Sequence, residues 1–290
     1  MTREELYQSI YSSDVIYLPN HEEGSAALEI ASGCSWHKCE FCDFARDPFR
    51  PVPLEQAEYN AQVLGQLKPE SRRLFLLGQN ALMFSCEHLC SIIDLVNKYM
   101  PAVEQIVMYG RVDDIMRKSD EELRLLKARG VSTIHIGVES GCDQVLQYQN
   151  KGVTSAETIA ALRRLDATGI EYYVTIVLGL GGKACWKEHA VETAALLNQV
   201  HPKNIWCMKL KLWEDTPLYE KAKRGDFQPL TDLEILDEEL LMLENLTVED
   251  CLFEDTTVLN TYTVKGMLSE EKEVIMKAIE YLKTRGMDLA

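Results

Sequence analysis

The chain has 290 residues and 46% apolar residues, enough to bury one sizeable core, and a formal net charge of −16, which argues against phosphate-rich nucleic acid as a partner. No apolar run approaches the ~20 residues that span a bilayer, and the opening Met1-Thr2-Arg3-Glu4-Glu5 lacks a signal peptide's apolar stretch. The expectation is a soluble, cytoplasmic protein with no membrane association.

Along the chain, strand-like apolar runs alternate with helical patterns, as in βα units around a parallel sheet. Residues 27–32 read as the first strand and lead into Cys34-Ser35-Trp36-His37-Lys38-Cys39-Glu40-Phe41-Cys42. This C-x4-C-x2-C run places three soft thiolates on one loop, which suits a four-iron, four-sulfur (4Fe-4S) cluster and leaves one iron without a protein ligand. Nine cysteines without a secretion signal fit metal ligands and buried thiols better than disulfides. A helix over 54–67 follows, then a strand over 73–77 ending at Gly78, a helix over 86–99 and a strand over 105–109. Next come a helix over 120–128 closed by Gly130 and a strand over 133–138. Thr154 caps a helix over 154–168 with Glu157 at the capping-box position, and strand 171–178, helix 183–200 and strand 204–210 complete six repeats.

This pattern predicts an α/β fold, a partial (βα)6 TIM-like barrel over 25–215, with an N-terminal extension over 1–24 and a helical C-terminal extension or cap over 216–290. The cap carries helical patterns at 217–222, 233–243 and 270–284, with a polar, threonine-rich segment at 254–263 too long for a simple turn. Trp213, Glu214 and Asp215 after the sixth strand, and Asp255, Asn260 and Tyr262 in that segment, are candidate substrate contacts.

In parallel barrels the reactive groups collect at the carboxyl ends of the strands. Here those positions hold Gly78-Gln79-Asn80, Gly110-Arg111, Glu139-Ser140-Gly141, Gly179-Leu180-Gly181-Gly182 and Lys209-Leu210-Lys211. Glu139 closes an apolar strand, where a carboxylate is costly to bury without a donor. Arg111 reads either as a carboxylate clamp or as an ion pair with Asp113 or Glu139. Cys86 and Cys90 lie one helical turn apart without further nearby ligands, and buried apolar thiols are the simpler reading. Cys142 follows Glu139-Ser140-Gly141, and passive packing is again simpler than a radical relay. Two other classes compete: a closed zinc site that adds His37, and an iron–sulfur electron carrier or redox sensor. Zinc knuckles draw ligands from two separate loops, and carriers normally supply four cysteines.

The cysteine loop, His135-Ile136-Gly137-Val138-Glu139-Ser140-Gly141, Asn150-Lys151-Gly152-Val153-Thr154, Leu178-Gly179-Leu180-Gly181-Gly182 and Asp215-Thr216-Pro217-Leu218-Tyr219 together resemble the radical S-adenosylmethionine (radical SAM) superfamily. They are most similar to uncharacterised bacterial proteins of its Elp/MiaB-like group. The superfamily's commonest spacing is C-x3-C-x2-C, so the extra residue here is a departure. The resemblance implies that Cys34, Cys39 and Cys42 ligate three irons and that S-adenosylmethionine chelates the fourth. One-electron cleavage would then give methionine and a 5′-deoxyadenosyl radical that abstracts hydrogen from a small or medium organic substrate.

The same resemblance implies cofactor contacts. Phe41 would border the adenine, and Gly78, Gln79 and Asn80 stand where the family's Gly-Gly-Glu segment grips the amino group, although the glutamate is absent. Glu139 and Ser140 close the fourth strand, Lys151 would meet the cofactor carboxylate, Arg111 would be a second clamp, and Leu178 and Gly179 would border adenine. A reductant such as flavodoxin or ferredoxin and sensitivity to oxygen are implied as well. RNA modification is the competing chemistry within the superfamily. A cobalamin-binding region is not expected, because no Asp-x-His-x-x-Gly motif appears.

Overall fold

The computed structural model describes residues 2–13, 16–43, 48–256, 260 and 262–285. The chain divides into two compact units: Met1–His37, Phe44–His135 and Thr168–Glu171 form the first, and Lys38–Asp43, Ile136–Ala167 and Tyr172–Ala290 the second.

The first unit contains α1 (Arg3–Gln8), β1 (Ala26–Glu29), β2 (Ala31–Ser32), β3 (Arg50–Pro51), α2 (Leu54–Leu67) and β4 (Arg73–Leu77). It continues through α3 (Cys86–Tyr99), β5 (Gln105–Gly110), α4 (Val112–Met116), α5 (Asp120–Ala128) and the opening half of β6 (Val131–Glu139). β1 pairs parallel with β4, and β4 with β5, bringing Ala26 opposite Leu74 and Leu74 opposite Ile106. These strands read as near-continuous apolar runs because both faces are covered, and Leu28, Leu74, Phe75, Leu76 and Val107 are fully buried. Ser85 and Ser119 accept from backbone N–H groups in the first turns of α3 and α5, fixing both helix starts where the sequence places them.

The first strand departs from its expected span. Ile30 still donates to the Leu77 carbonyl, but β2 turns away and pairs antiparallel with β3. The chain returning from the cysteine loop supplies that partner, a pairing invisible to local periodicity.

The second unit holds the rest of β6, then α6 (Asp143–Tyr148), α7 (Ser155–Thr168), β7 (Glu171–Leu178), α8 (Gly182–Leu197), β8 (Asn204–Lys209) and α9 (Pro217–Arg224). α10 (Asp232–Asn245), β9 (Leu252–Asp255), β10 (Val264–Met267) and α11 (Leu268–Arg285) complete it. β7 and β8 are parallel from Tyr173 opposite Asn204 to Leu178 opposite Lys209. β8 runs parallel to β9, and β10 returns antiparallel. Two strands therefore accompany the three expected tail helices. The segment 254–263 begins as the last two residues of β9, and residues 257–259 and 261 of it lie outside the described residues.

Candidate functional site

The two halves of the cysteine loop have separate anchors. In the first unit, Cys34 is half-buried and the backbone enters the loop through Gly33 at φ 70°. Ser35 donates its N–H to Asn80 Oδ1 at 3.1 Å, and the Asn80 amide donates to Ser35 Oγ at 2.7 Å and to Asp114 Oδ2 at 3.1 Å. Asn80 is fully buried, so its amide works as a brace between the loop, the end of β4 and the start of α4. Asp114 also accepts from the Arg111 N–H at 3.0 Å, and burial pushes its carboxyl above the ordinary range against those two donors.

Arg111 donates Nε to Asp113 at 2.8 Å, the ion-pair alternative for this residue, and its guanidinium lies 4.9 Å from the Trp36 ring centroid. Gly78 is buried at φ 155°, where an added Cβ would lie 3.2 Å from the Ala31 Cβ, and Gln79 is half-buried beside it. His37 is exposed.

In the second unit, Cys39 is buried and Cys42 half-buried, and no disulfide joins any of the nine cysteines. Glu40 between them donates its N–H to the Gln149 carbonyl at 3.0 Å, accepts from the Leu218 N–H at 2.9 Å, and pairs through its carboxylate with Lys221 at 3.2 Å. Gln149 donates in turn to the Leu180 carbonyl at 2.9 Å. Phe41 packs on Cys142, Val145, Val177 and Leu180. Burial pushes the Cys142 thiol up, so it stays protonated within that apolar group.

Glu139 and Lys151, named separately from the sequence, are joined here. Lys151 Nζ donates to Glu139 Oε1 at 2.9 Å, and Thr175 Oγ1 donates to Oε2 at 3.2 Å. Both charges are less than a tenth exposed. Glu139 sits at φ 66°, a left-handed conformation uncommon for a residue with a Cβ and frequent at functional sites. Gly137 makes room for the pair, because a Cβ there would lie 2.2 Å from Glu139 Oε1 and 3.0 Å from Lys151 Nζ.

Ser140 is fully buried, with its Oγ 2.7 Å from His189 Nδ1. Burial lowers the His189 pKa to about 4, so the ring is neutral at pH 7. Its Nε2 lies 3.1 Å from the Val177 carbonyl, which only accepts, so Nε2 carries the proton and the Ser140 hydroxyl donates to Nδ1. Ser140 Oγ also accepts from the Cys142 N–H at 3.0 Å, and the Gly141 N–H donates to Thr193 Oγ1 at 2.8 Å. α8 thereby holds the turn after β6.

Leu178 is buried at the end of β7. Gly179, at φ 84°, donates its N–H to Glu238 of α10, and a Cβ on it would lie 2.7 Å from Ile235 Cδ1. A cavity of about 450 Å³ borders Leu180–Cys185 of the same unit, with Tyr148, Phe227 and Gln228 across it.

Sequence reasoning missed Asp114, His189 and the acids of α10. His189 and Thr193 do share one helix face four residues apart, but nothing local says that face meets the turn after β6.

The Radical SAM superfamily pattern matches residues 28–193, more than half of the chain, and the protein belongs to that superfamily. Its members bind a 4Fe-4S cluster and S-adenosylmethionine, and three cysteines on one loop, none in a disulfide, are the donor set such a cluster takes. The chain is similar to 4′-phospho-dehydrooxetanocin synthase of Priestia megaterium, 27% identical over 246 residues, covering 74% of this chain and 32% of the relative. It is 25% identical over 267 residues to tRNA-2-methylthio-N(6)-dimethylallyladenosine synthase of Wolbachia pipientis, covering 87% of this chain and 57% of the relative. The chain thus spans between a third and just over half of the length of these relatives. Methylornithine synthase (PylB) shares the fold with a TM-score of 0.54 at 12% identity, covering 99% of this chain and 92% of that one. That likeness supports the TIM-like α/β architecture. No helix among the described residues is long and apolar enough to cross a membrane.

Proposed function

We propose that the protein is a radical SAM enzyme in which Cys34, Cys39 and Cys42 hold a 4Fe-4S cluster with one iron left for S-adenosylmethionine. The observation that carries this reading is the loop of three cysteines outside any disulfide, braced by Asn80 and Asp114 in one unit and by Gln149 and Leu218 in the other. Bound there, the cluster and cofactor supply reductive cleavage to a 5′-deoxyadenosyl radical for hydrogen abstraction.

The chain's own residues bind, orient and shield. Phe41 gives an apolar wall for adenine, with Leu178 and Gly179 bordering it. The Glu139–Lys151 pair offers one anion and one cation to the zwitterionic aminocarboxylate of S-adenosylmethionine, Lys151 facing its carboxylate and Glu139 its ammonium or ribose hydroxyls. Both N–H donors of the Asn80 amide are engaged within the protein, so the acceptors offered at Gly78-Gln79-Asn80 are backbone carbonyls and the side-chain amide oxygens of Gln79 and Asn80. Arg111, paired with Asp113 and lying over the Trp36 ring, is a second clamp for the cofactor carboxylate, and Ser140 keeps Glu139 in its left-handed turn.

Residues 216–290 cap the substrate. A small organic molecule is the favoured substrate, a cytoplasmic flavodoxin or ferredoxin the reductant, and oxygen sensitivity would follow from an iron without a protein ligand. RNA modification is a second reading, supported by similarity to tRNA-modifying relatives and opposed by the charge of −16.

Anaerobic reconstitution should load about four irons per chain, and dithionite reduction with S-adenosylmethionine should release 5′-deoxyadenosine. Cys39→Ala should abolish both. Product at the level of that variant would reject the catalytic reading, and salt-sensitive tRNA binding would favour the RNA reading.

A further inference from the structure

Glu40 is the one charged residue between the second and third cysteines of the loop, one position from Cys39 and two from Cys42. Its backbone is fixed without help from its side chain: the N–H donates to the Gln149 carbonyl at 3.0 Å, and the carbonyl accepts from the Leu218 N–H at 2.9 Å. The carboxylate is therefore not needed to hold the loop backbone.

That carboxylate has a single cation beside it. Its Oε2 is buried and makes no hydrogen bond among the described residues, but it meets Lys221 Nζ at 3.2 Å as an ion pair. The two side chains are 21% and 25% exposed, whereas the neighbouring pairs Lys223–Glu220 and Arg224–Asp226 are half or more exposed. Screening by water and salt is correspondingly weaker at Glu40 and Lys221.

Lys221 is held where it stands. Leu218 and Lys221 share one side of α9, three residues apart, so docking that helix on the loop brings the ammonium to the carboxylate. Lys221 Nζ also lies 4.3 Å from the Tyr148 ring centroid, and the Tyr148 hydroxyl donates to the Asp226 carbonyl at 3.2 Å. The Lys221 carbonyl accepts from the Asp226 N–H at 2.9 Å and the Phe227 N–H at 3.3 Å, which ties the same turn together.

Charge beside an iron–sulfur cluster sets its reduction potential. Reduction adds one electron, and so one negative charge, next to thiolate ligands, and a carboxylate adjoining two of those ligands opposes it. A cation paired with that carboxylate cancels the opposition.

We infer that Lys221 is a positioning residue for electron uptake: by neutralising Glu40 it raises the potential of the cluster held by Cys34, Cys39 and Cys42. The inference rests on the radical SAM reading above and adds to it how reduction is tuned. The electron comes from the flavodoxin or ferredoxin reductant, no bond forms or breaks at Lys221 or Glu40, and neither changes its proton. Lys38 and Asp43, the other charges on this part of the loop, are common to every variant below.

The test is a potentiometric titration of the anaerobically reconstituted full chain without S-adenosylmethionine, read by the electron paramagnetic resonance signal of the reduced cluster. Lys221→Met leaves the Glu40 charge unopposed and should make reduction about three- to tenfold less favourable. Glu40→Gln removes the anion, keeps the cation, and should make reduction more favourable by a similar factor. Tenfold corresponds to about 59 mV for one electron. The double variant, lacking both charges, should return close to the wild-type potential, and Lys221→Arg should stay there. A pair that only held the loop together would lower iron content in the single and double variants alike, without opposed shifts. Shifts of one sign in both single variants, a double variant displaced as far as either, or no shift in any of them would overturn the inference. If Lys221→Met loses its iron, Glu40→Gln and the double variant decide by the same criteria. Wild-type protein that takes up no cluster rejects the radical SAM reading and this inference with it. A full cluster in the wild type with unshifted variants rejects this inference alone.

Discussion

Glu22, just ahead of β1, and Asp255, closing β9, are both buried carboxyl groups with at most 1% exposure, but their surroundings differ in kind. Arg73, which opens β4, forks onto Glu22 through Nη2 at 2.6 Å and Nε at 2.8 Å, and Ser25 adds a hydroxyl at 2.6 Å. His135 Nε2 lies 3.3 Å away, and burial lowers that ring to about 4, so the neutral imidazole donates. Burial alone would raise Glu22, but the Arg73 fork and its companions outweigh it and hold the carboxyl at about 2. Asp255 has no such fork and rises to about 7. A buried acid that brings its own donors is a finished piece of structure. One that lacks them keeps a proton or takes a cation from outside.

The sharpest way to break this comparison is to turn the first kind into the second. Arg73→Met should strand the Glu22 charge and cost about 3–5 kcal/mol in urea unfolding at pH 7, because one member of a buried pair is left alone. A loss under about 1 kcal/mol would mean that the fork contributes little.

The pH dependence comes next, and the two regions have opposite signs. Glu22, lowered from 4.5 to about 2, contributes stability that is present above pH 4.5 and lost as pH falls toward 2. Asp255, raised from 3.8 to about 7, and Glu238, raised from 4.5 to about 8, contribute stability that is full below about pH 4 and lost as pH rises through 7–8. Asp255→Asn with Glu238→Gln should flatten the decline between pH 5 and 8 and gain on the order of 1–3 kcal/mol at pH 8, leaving the acid limb unchanged.

Glu139 is an intermediate case, a buried carboxylate answered by one lysine. Gly137→Ala would push a Cβ against that pair and should cost about 1–3 kcal/mol, with weaker S-adenosylmethionine binding in a titration of the reconstituted protein. The smallest effect belongs to the neutral bond behind it: Ser140→Ala should cost about 1–2 kcal/mol by leaving His189 Nδ1 with only the longer 3.4 Å contact to Thr193 Oγ1. A loss as large as that of Arg73→Met would show that charge is not what separates these cases.

Much of this was legible in the chain itself. Helices Leu54–Leu67, Cys86–Tyr99 and Asp120–Ala128 and strands Arg73–Leu77 and Glu171–Leu178 match the periodicity residue for residue, because their apolar spacing, and in the second and third helices a capping serine, act locally. The three cysteines and the residues after each strand were equally visible as motifs. The short α4 and α6 were not, since five or six residues carry too little period. Nor were β9, whose four residues include the buried acids Glu254 and Asp255 that read as polar loop, and β10, four residues with a lysine and a glycine.

The sequence alone determined the alternation of strands and helices, the three-cysteine loop and the superfamily, because these depend on neighbours along the chain. Only the tertiary structure decided the partners: Lys151 for Glu139, His189 for Ser140, Arg73 for Glu22, and none among the described residues for Asp255. Each partner stands in a different element, and which elements meet depends on how the core packs. The state of a buried charge follows from that packing.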